Sequence, residues 1–118
     1  MNAFAIGAFA TALAVSLGAF GAHALRNIGA LRLGWWTTAT QYLFVAAFGL
    51  MLFGLYQRAR LPLLGPATLL VLGALFFSGS LYLMGLGGPH WLGAVTPVGG
   101  VCLIAGFLWM GVLALRML

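Results

Sequence analysis

The chain contains almost no charged side chains, and this absence restricts its fold more than any other feature of the sequence. Five Arg are its only charged residues among 118, with no Asp or Glu. Charged residues therefore make up 4%, whereas a soluble domain carries about 25%. Hydrophobic residues make up 64%. The sequence predicts a protein whose surface faces lipid.

Four apolar runs divide the sequence. They cover about residues 3–25, 35–56, 63–86 and 96–115. Each is close to the roughly 20 residues that a helix needs to cross a hydrocarbon core about 30 Å thick. The sequence therefore predicts an all-α integral membrane protein, in which residues 1–118 form a single four-transmembrane-helix bundle.

Short polar or Gly-Pro segments separate the runs. We expect Arg26–Gly34 to be a polar connection or a short interfacial helix. Gly87–His90 is expected to be a turn, because Gly accepts positive φ and Pro fixes its own. Pro62 and Pro66 mark the entry to the third run.

The five Arg give a weak indication of orientation. Four spans place both termini on one side of the membrane, and the Arg residues then divide three to two. Arg58, Arg60 and Arg116 lie on the side of the termini, opposite Arg26 and Arg32. This bias favours termini in the cytoplasm.

The first run is expected to stay in the mature protein as a helix, since it lacks the basic start of a secretory signal. Small residues recur in it at every fourth position, as at Ala14, Gly18 and Ala22. In lipid, such a face lets helix backbones approach closely. We therefore expect the first helix to lie inside the bundle.

Reactive side chains are few. No carboxylate side chain is present, which argues against proton-coupled exporters that depend on a buried Glu. His23 and His90 are expected at the membrane edge, and with the single Cys102 in mid-span they cannot readily assemble a three-ligand zinc site. A haem held by the two His is a sharper alternative, weakened because no second His pair supports it. We predict no enzymatic activity, no metal and no cofactor.

The formal charge of +5 does not indicate a nucleic-acid partner. The Arg residues are scattered among apolar runs, whereas a nucleic-acid surface clusters them. We interpret them as interfacial anchors that face lipid phosphates. The expected partners are membrane lipids and other membrane protein subunits.

Uncharged polar side chains provide the remaining candidates. The second run is dense in them, and Gln41 and Tyr42 are expected to reach across the bundle. Hydrogen bonds between helices are the first interpretation, and the lining of a ligand head group is the alternative. The candidate packing or ligand-lining residues are His23, Gln41, Tyr42, Ser78, Ser80, Tyr82 and Thr96.

Four segments carry a resemblance to a known family: GAFGAHAL from Gly18, WWTTATQY from Trp35, FSGSLYLMGLGG from Phe77 and LGAVTPVGGVCLIAGF from Leu92. In the order and spacing of these four segments, the chain resembles the YgdD-like small membrane proteins, which form the domain-of-unknown-function family numbered 423. That family is similar to a mitochondrial transmembrane protein. The resemblance implies a four-helix protein of the bacterial inner membrane and no assigned enzymatic activity. The family's recurring positions map to Gly21, His23, Gln41, Tyr42, Ser78, Gly79, Ser80, Tyr82, Thr96, Pro97, Gly99 and Gly100. Relatives tend to carry a His in the second span, where this chain reads LFVAAFGL after Tyr42.

Three functions remain open at this point. The first is a non-catalytic accessory or assembly subunit that packs against a larger membrane complex. The second is a passive anion channel or pore formed by a small oligomer. The third is binding of a quinone or lipid between the second, third and fourth spans, in a groove lined by Phe76, Phe77, Phe107 and Trp109.

Overall fold

The computed structural model describes residues 2–59 and 65–116, and these residues form helices joined by short turns. Four stretches are long and apolar enough to cross a membrane, which confirms the predicted all-α class and the four spans. The helices are α1 (Ala3–Ala24), α2 (Ala30–Ala59), α3 (Gly65–Gly73), a π-helical turn (Ala74–Ser78), α4 (Gly79–Gly85), a 3-10 helix (His90–Ala94) and α5 (Thr96–Arg116). The third span consists of α3, the π-helical turn and α4, which follow one another without a break.

The connection between α1 and α2 is shorter than predicted. Asn2 caps the start of α1 by accepting a hydrogen bond from the Ala5 backbone N–H at 2.7 Å. After α1, Gly29 adopts a positive φ of 100°, and α2 begins at the next residue. The prediction that residues up to Gly34 lie outside the second helix was wrong. The apolar part of α2, Ala30–Tyr56, is about 40 Å long and exceeds the hydrocarbon core, so its first turns reach the interface.

The spans alternate in direction, as their contacts demonstrate. Near one end of the bundle, Gly21 of α1 lies against Trp36 of α2. Arg32, also near the start of α2, donates from Nε to the carbonyl oxygen of Gly85 at the end of the third span. Thr96, which begins α5, bonds Ser80 at the same end. We call this the 86–95 end, after the connection that it contains.

The position of α1 corrects the sequence prediction. In its most apolar stretch only 17% of residues are buried, against 50% in α2, and α1 packs mainly on α2. Its buried residues are Ala3, Gly7, Ala14 and Gly21, of which the last three are seven positions apart, whereas Ala22 is exposed. A seven-residue period makes a single seam against one neighbour. The expectation that α1 lies inside the bundle was therefore wrong, and α2 is the central helix.

The apolar core lies between α2, the third span and α5. Leu50 and Phe53 of α2 meet Leu70 of the third span and Leu103 of α5, all of them at most 5% exposed. Next to this core, the Phe107 ring of α5 packs against Gly49 of α2. The helices α2 and α5 therefore meet in the half of the bundle away from the 86–95 end.

Several predicted features lie outside the described residues. These include Arg60, Pro62 and the first two residues of the predicted third span, Leu63 and Leu64. The orientation in the membrane stays a prediction.

Candidate functional site

Trp36 is the centre of a cluster at the 86–95 end of the bundle. It is 4% exposed, and its Nε1–H donates to the backbone carbonyl of Leu17 in α1 at 2.7 Å. Gly21 leaves the space that the indole occupies, since a Cβ there would overlap it. The indole also contacts the Tyr82 ring edge-on, with centroids 4.5 Å apart. One side chain of α2 thereby joins α1 to the third span.

The hydroxyl of Tyr82 continues this network. It lies 2.7 Å from the hydroxyl of Thr40, which also donates to the carbonyl of Trp36 at 3.0 Å. Thr40 is buried between the helices. The Thr40–Tyr82 bond therefore links the middle of α2 to α4.

Two serines complete the cluster. Ser78 is 2% exposed and donates to the carbonyl of Ala39 in α2 at 2.7 Å. Ser80 faces α5. Its hydroxyl forms a hydrogen bond with the hydroxyl of Thr96 and donates to the carbonyl of Phe77 at 3.0 Å. Ser78 ends the π-helical turn, which carries about one residue more per turn than an α-helix and so changes the faces of the residues that follow it. Consecutive polar residues thus connect the third span to both of its neighbours.

We call this group the polar layer; it comprises Trp36, Thr40, Ser78, Ser80, Tyr82 and Thr96. Among the described residues, no buried side-chain nitrogen or oxygen lacks a hydrogen-bond partner. Its groups are an indole and neutral hydroxyls, and each contact joins two helices or a helix to its own carbonyl. Such an arrangement fastens helices in lipid.

Removing two of these bonds gives a first prediction. In the double variant Ser78→Ala/Tyr82→Phe, we expect the free energy of unfolding to fall by about 1 kcal/mol, since each interhelical bond contributes about 0.6 kcal/mol on average. Unfolding by sodium dodecyl sulfate in mixed micelles, followed by circular dichroism, measures the change. Ser16→Ala is the control, because Ser16 is exposed and bonds only a carbonyl of its own helix. Equal effects of the two changes would contradict the assignment.

Three predicted site residues lie outside the polar layer. Gln41 faces outward, so the expectation that it reaches across the bundle was wrong, whereas Tyr42, although exposed, packs on Phe77 of the third span. The helical period explains this, since Thr40 takes the inward position and each following residue turns by about 100°. His23 is exposed near the end of α1.

An open groove lies between α2 and α5. Its volume is about 550 Å³, and Phe77 of the third span lines its wall. Tyr42 packs on Phe77 with ring centroids 4.7 Å apart. The walls also include Val45, Gly100, Ile104 and Phe107. We call this the α2–α5 groove.

The predicted ligand groove corresponds to the α2–α5 groove only in part. Phe77 and Phe107 line it as expected. Trp109 instead covers Gly65 of α3, where a Cβ would overlap the indole, and Phe76 is not among the lining residues. Tyr42, one of the candidate ligand-lining residues, does line the groove, whereas sequence reasoning did not place Gly100 there. The sequence signal for this part of the groove is the Gly99–Gly100 pair. Gly99 lets α5 pack closely on the third span, and Gly100 leaves space for the groove.

These features define a small integral membrane protein whose four helices are fastened by neutral hydrogen bonds and enclose a groove open to lipid. A family model described as "Protein of unknown function (DUF423)" matches residues 17–100. The chain belongs to this family.

Individual relatives agree with this assignment. The chain is 40% identical over 107 residues to the UPF0382 membrane protein SSP2132 of Staphylococcus saprophyticus, and the matched residues make up 89% of each chain. It is 39% identical over 107 residues to the UPF0382 inner membrane protein YgdD of Escherichia coli K12, covering 87% of this chain and 81% of that protein. With its four spans, the protein is an integral inner-membrane protein. No solved structure matches the chain.

Proposed function

We propose that the protein is a non-catalytic accessory or assembly subunit that packs against other membrane proteins. The observation that supports this most directly is the position of Gln41. Its side chain is exposed, and within residues 2–59 and 65–116 it forms no hydrogen bond.

Gln41 lies close to the middle of the membrane. The apolar stretch of α2 runs from Ala30 to Tyr56, and Gln41 is two residues, or about 3 Å, from its centre. Transfer of an unpaired amide from water into hydrocarbon costs about 4 kcal/mol or more. A polar group on a neighbouring protein removes this penalty by bonding the amide. The outward amide therefore favours a protein contact on this face of α2.

The outer face of α1 offers a second surface. Ala12, Ser16 and Ala19 are exposed there at helical spacing. Ser16 already donates to the carbonyl of Ala12, so this face presents small side chains with little unsatisfied polarity. Faces of this kind let another transmembrane helix approach closely. The exposed side of α1 is thus compatible with a helix of a larger subunit.

The test is affinity purification at native expression in a mild detergent, with quantitative mass spectrometry of the proteins retained. We expect stoichiometric recovery of larger membrane subunits. Gln41→Leu should lower that recovery about three- to tenfold, the effect of losing one interhelical hydrogen bond. The variant should fold at least as well as the parent, because Gln41 has no bond within the described bundle to lose. Gln41→Asn, which keeps the amide, is the matched control.

Two results would contradict the accessory role. One is recovery of the free monomer alone, and the other is recovery of a self-associated species without other subunits. The passive pore formed by a small oligomer stays a prediction, and self-association would favour it. The quinone or lipid alternative gains one specific observation, the α2–α5 groove.

A further inference from the structure

The α2–α5 groove runs along α5 from Gly100 to Leu108. Phe107 of α5, which also lines it, packs on Gly49 of α2. Tyr42 of α2 and Gly100 of α5 line the part nearer to the 86–95 end. At the end of the bundle, the imidazole of His90 packs edge-on against Trp35 of α2, with ring centroids 5.8 Å apart. The 3-10 helix that begins at His90 therefore reaches from α2 toward α5 at this end.

A positive charge without an acidic partner lies at the same end. Arg32 is half-buried and uses one N–H to bond the Gly85 carbonyl at 2.9 Å. Its guanidinium lies beside Gly87, where an added Cβ would be 3.3 Å from Nη2. The whole chain contains no Asp or Glu side chain. The chain therefore offers Arg32 no acidic side chain, and the planar fork of its guanidinium matches a phosphate from outside the chain.

One face of α2 connects this charge to the groove. Arg32 and Trp35 are one turn apart, and Trp35, Thr38, Tyr42 and Val45 continue along the same side at helical spacing. From Arg32 to Tyr42, the first residue of α2 that lines the groove, the rise is about 15 Å, half of the roughly 30 Å hydrocarbon core. The distance from the charged end to the apolar wall of the groove thus equals one leaflet.

We infer that the α2–α5 groove and Arg32 together bind an anionic phospholipid. The phosphate lies at Arg32, beside the edge formed by Trp35 and His90, and one acyl chain lies along Tyr42 and Phe77 in the groove. The volume of about 550 Å³ is within the range of about 300–1,000 Å³ found for ligand pockets. A neutral quinone would fill the same apolar wall but would leave the charge of Arg32 unbalanced. This inference does not depend on the accessory role.

The first experiment measures head-group preference. The full chain is purified in detergent, mixed with equal amounts of phosphatidylglycerol and phosphatidylcholine of identical acyl chains, and examined by native mass spectrometry. We expect phosphatidylglycerol to be retained in preference. Arg32→Gln should lower the ratio of the two retained lipids about fivefold, the effect of one Arg near an anionic surface. Arg26→Gln, which removes an exposed charge at the same end beyond α1, should change the ratio little.

The second experiment fills the groove. Gly100→Leu places a side chain into the groove, and its Cβ would contact the Phe77 ring at an ordinary 3.6 Å. We expect it to reduce retention of both lipids about fivefold or more without loss of folding. Gly111→Leu is the matched control on the same helix, since open space surrounds Gly111. Monodispersity and thermal unfolding establish that each variant folds.

Three outcomes would overturn the inference. The first is equal retention of the two phospholipids by the parent protein. The second is an equal fall in the ratio for Arg32→Gln and Arg26→Gln, which would indicate general attraction to charge. The third is unchanged retention in Gly100→Leu, which tests the groove even where an Arg32 variant fails to fold.

Discussion

Replacing Trp36 by alanine is expected to lower the free energy of unfolding by about 3 kcal/mol. Removing a buried Trp from a soluble core costs about 3–5 kcal/mol. The lower figure applies here because the unfolded helices remain in lipid, so the hydrophobic transfer term is small. What is lost is packing against Tyr82 and Phe20, together with the hydrogen bond to Leu17. Unfolding by sodium dodecyl sulfate in bicelles, followed by circular dichroism, measures the change.

Two further Trp variants give this prediction its controls. Trp91→Ala removes an indole that is 67% exposed, and we expect little change in unfolding free energy. Trp36→Phe keeps an aromatic ring but removes the N–H donor to Leu17, so it should fall between the other two. If Trp36→Ala and Trp91→Ala had the same effect, Trp36 would not be the link between α1 and the third span.

The four spans could be predicted from the sequence because hydrocarbon thickness fixes the length of apolar run that a membrane helix needs. The position of α1 could not. Hydropathy does not distinguish a face that contacts lipid from one that contacts protein, since both are apolar. Small residues occur on several faces of α1, and only the contacts with α2 identify the seam at Gly7, Ala14 and Gly21.

The candidate site was predictable to a similar extent. Ser78, Ser80, Tyr82 and Thr96 drew attention as hydroxyls in apolar runs, and the structure brings them together at one end of the bundle. Their partners could not be assigned, because the π-helical turn before Gly79 changes the faces of the third span. Gln41 was also singled out, but its outward direction depends on how α2 is rotated within the bundle. That rotation is set by tertiary contacts such as those of Trp36.

The close approach of α5 to the third span makes Gly99 the second position where a small change should have a large effect. A Cβ built there would lie under 3.0 Å from the backbone atoms of Phe76 and Phe77. Backbone cannot move aside as a flexible side chain does, so Gly99→Ala must push the two spans apart. We expect the free energy of unfolding to fall by about 1–3 kcal/mol, as for other overpacked interiors. Unfolding by sodium dodecyl sulfate in mixed micelles measures the difference.

The adjacent glycine provides a control with the same chemical change in the same helix. At Gly100 an added Cβ would contact only the Phe77 ring, at 3.6 Å, because this residue faces the α2–α5 groove. Gly100→Ala should therefore leave stability unchanged or raise it by up to about 1 kcal/mol, since Ala has the higher helix propensity. A loss of unfolding free energy in Gly99→Ala together with no loss or a gain in Gly100→Ala would place the contact with the third span at Gly99 and the groove at Gly100. A similar loss at both positions would instead mean that α5 presents a different face to the bundle.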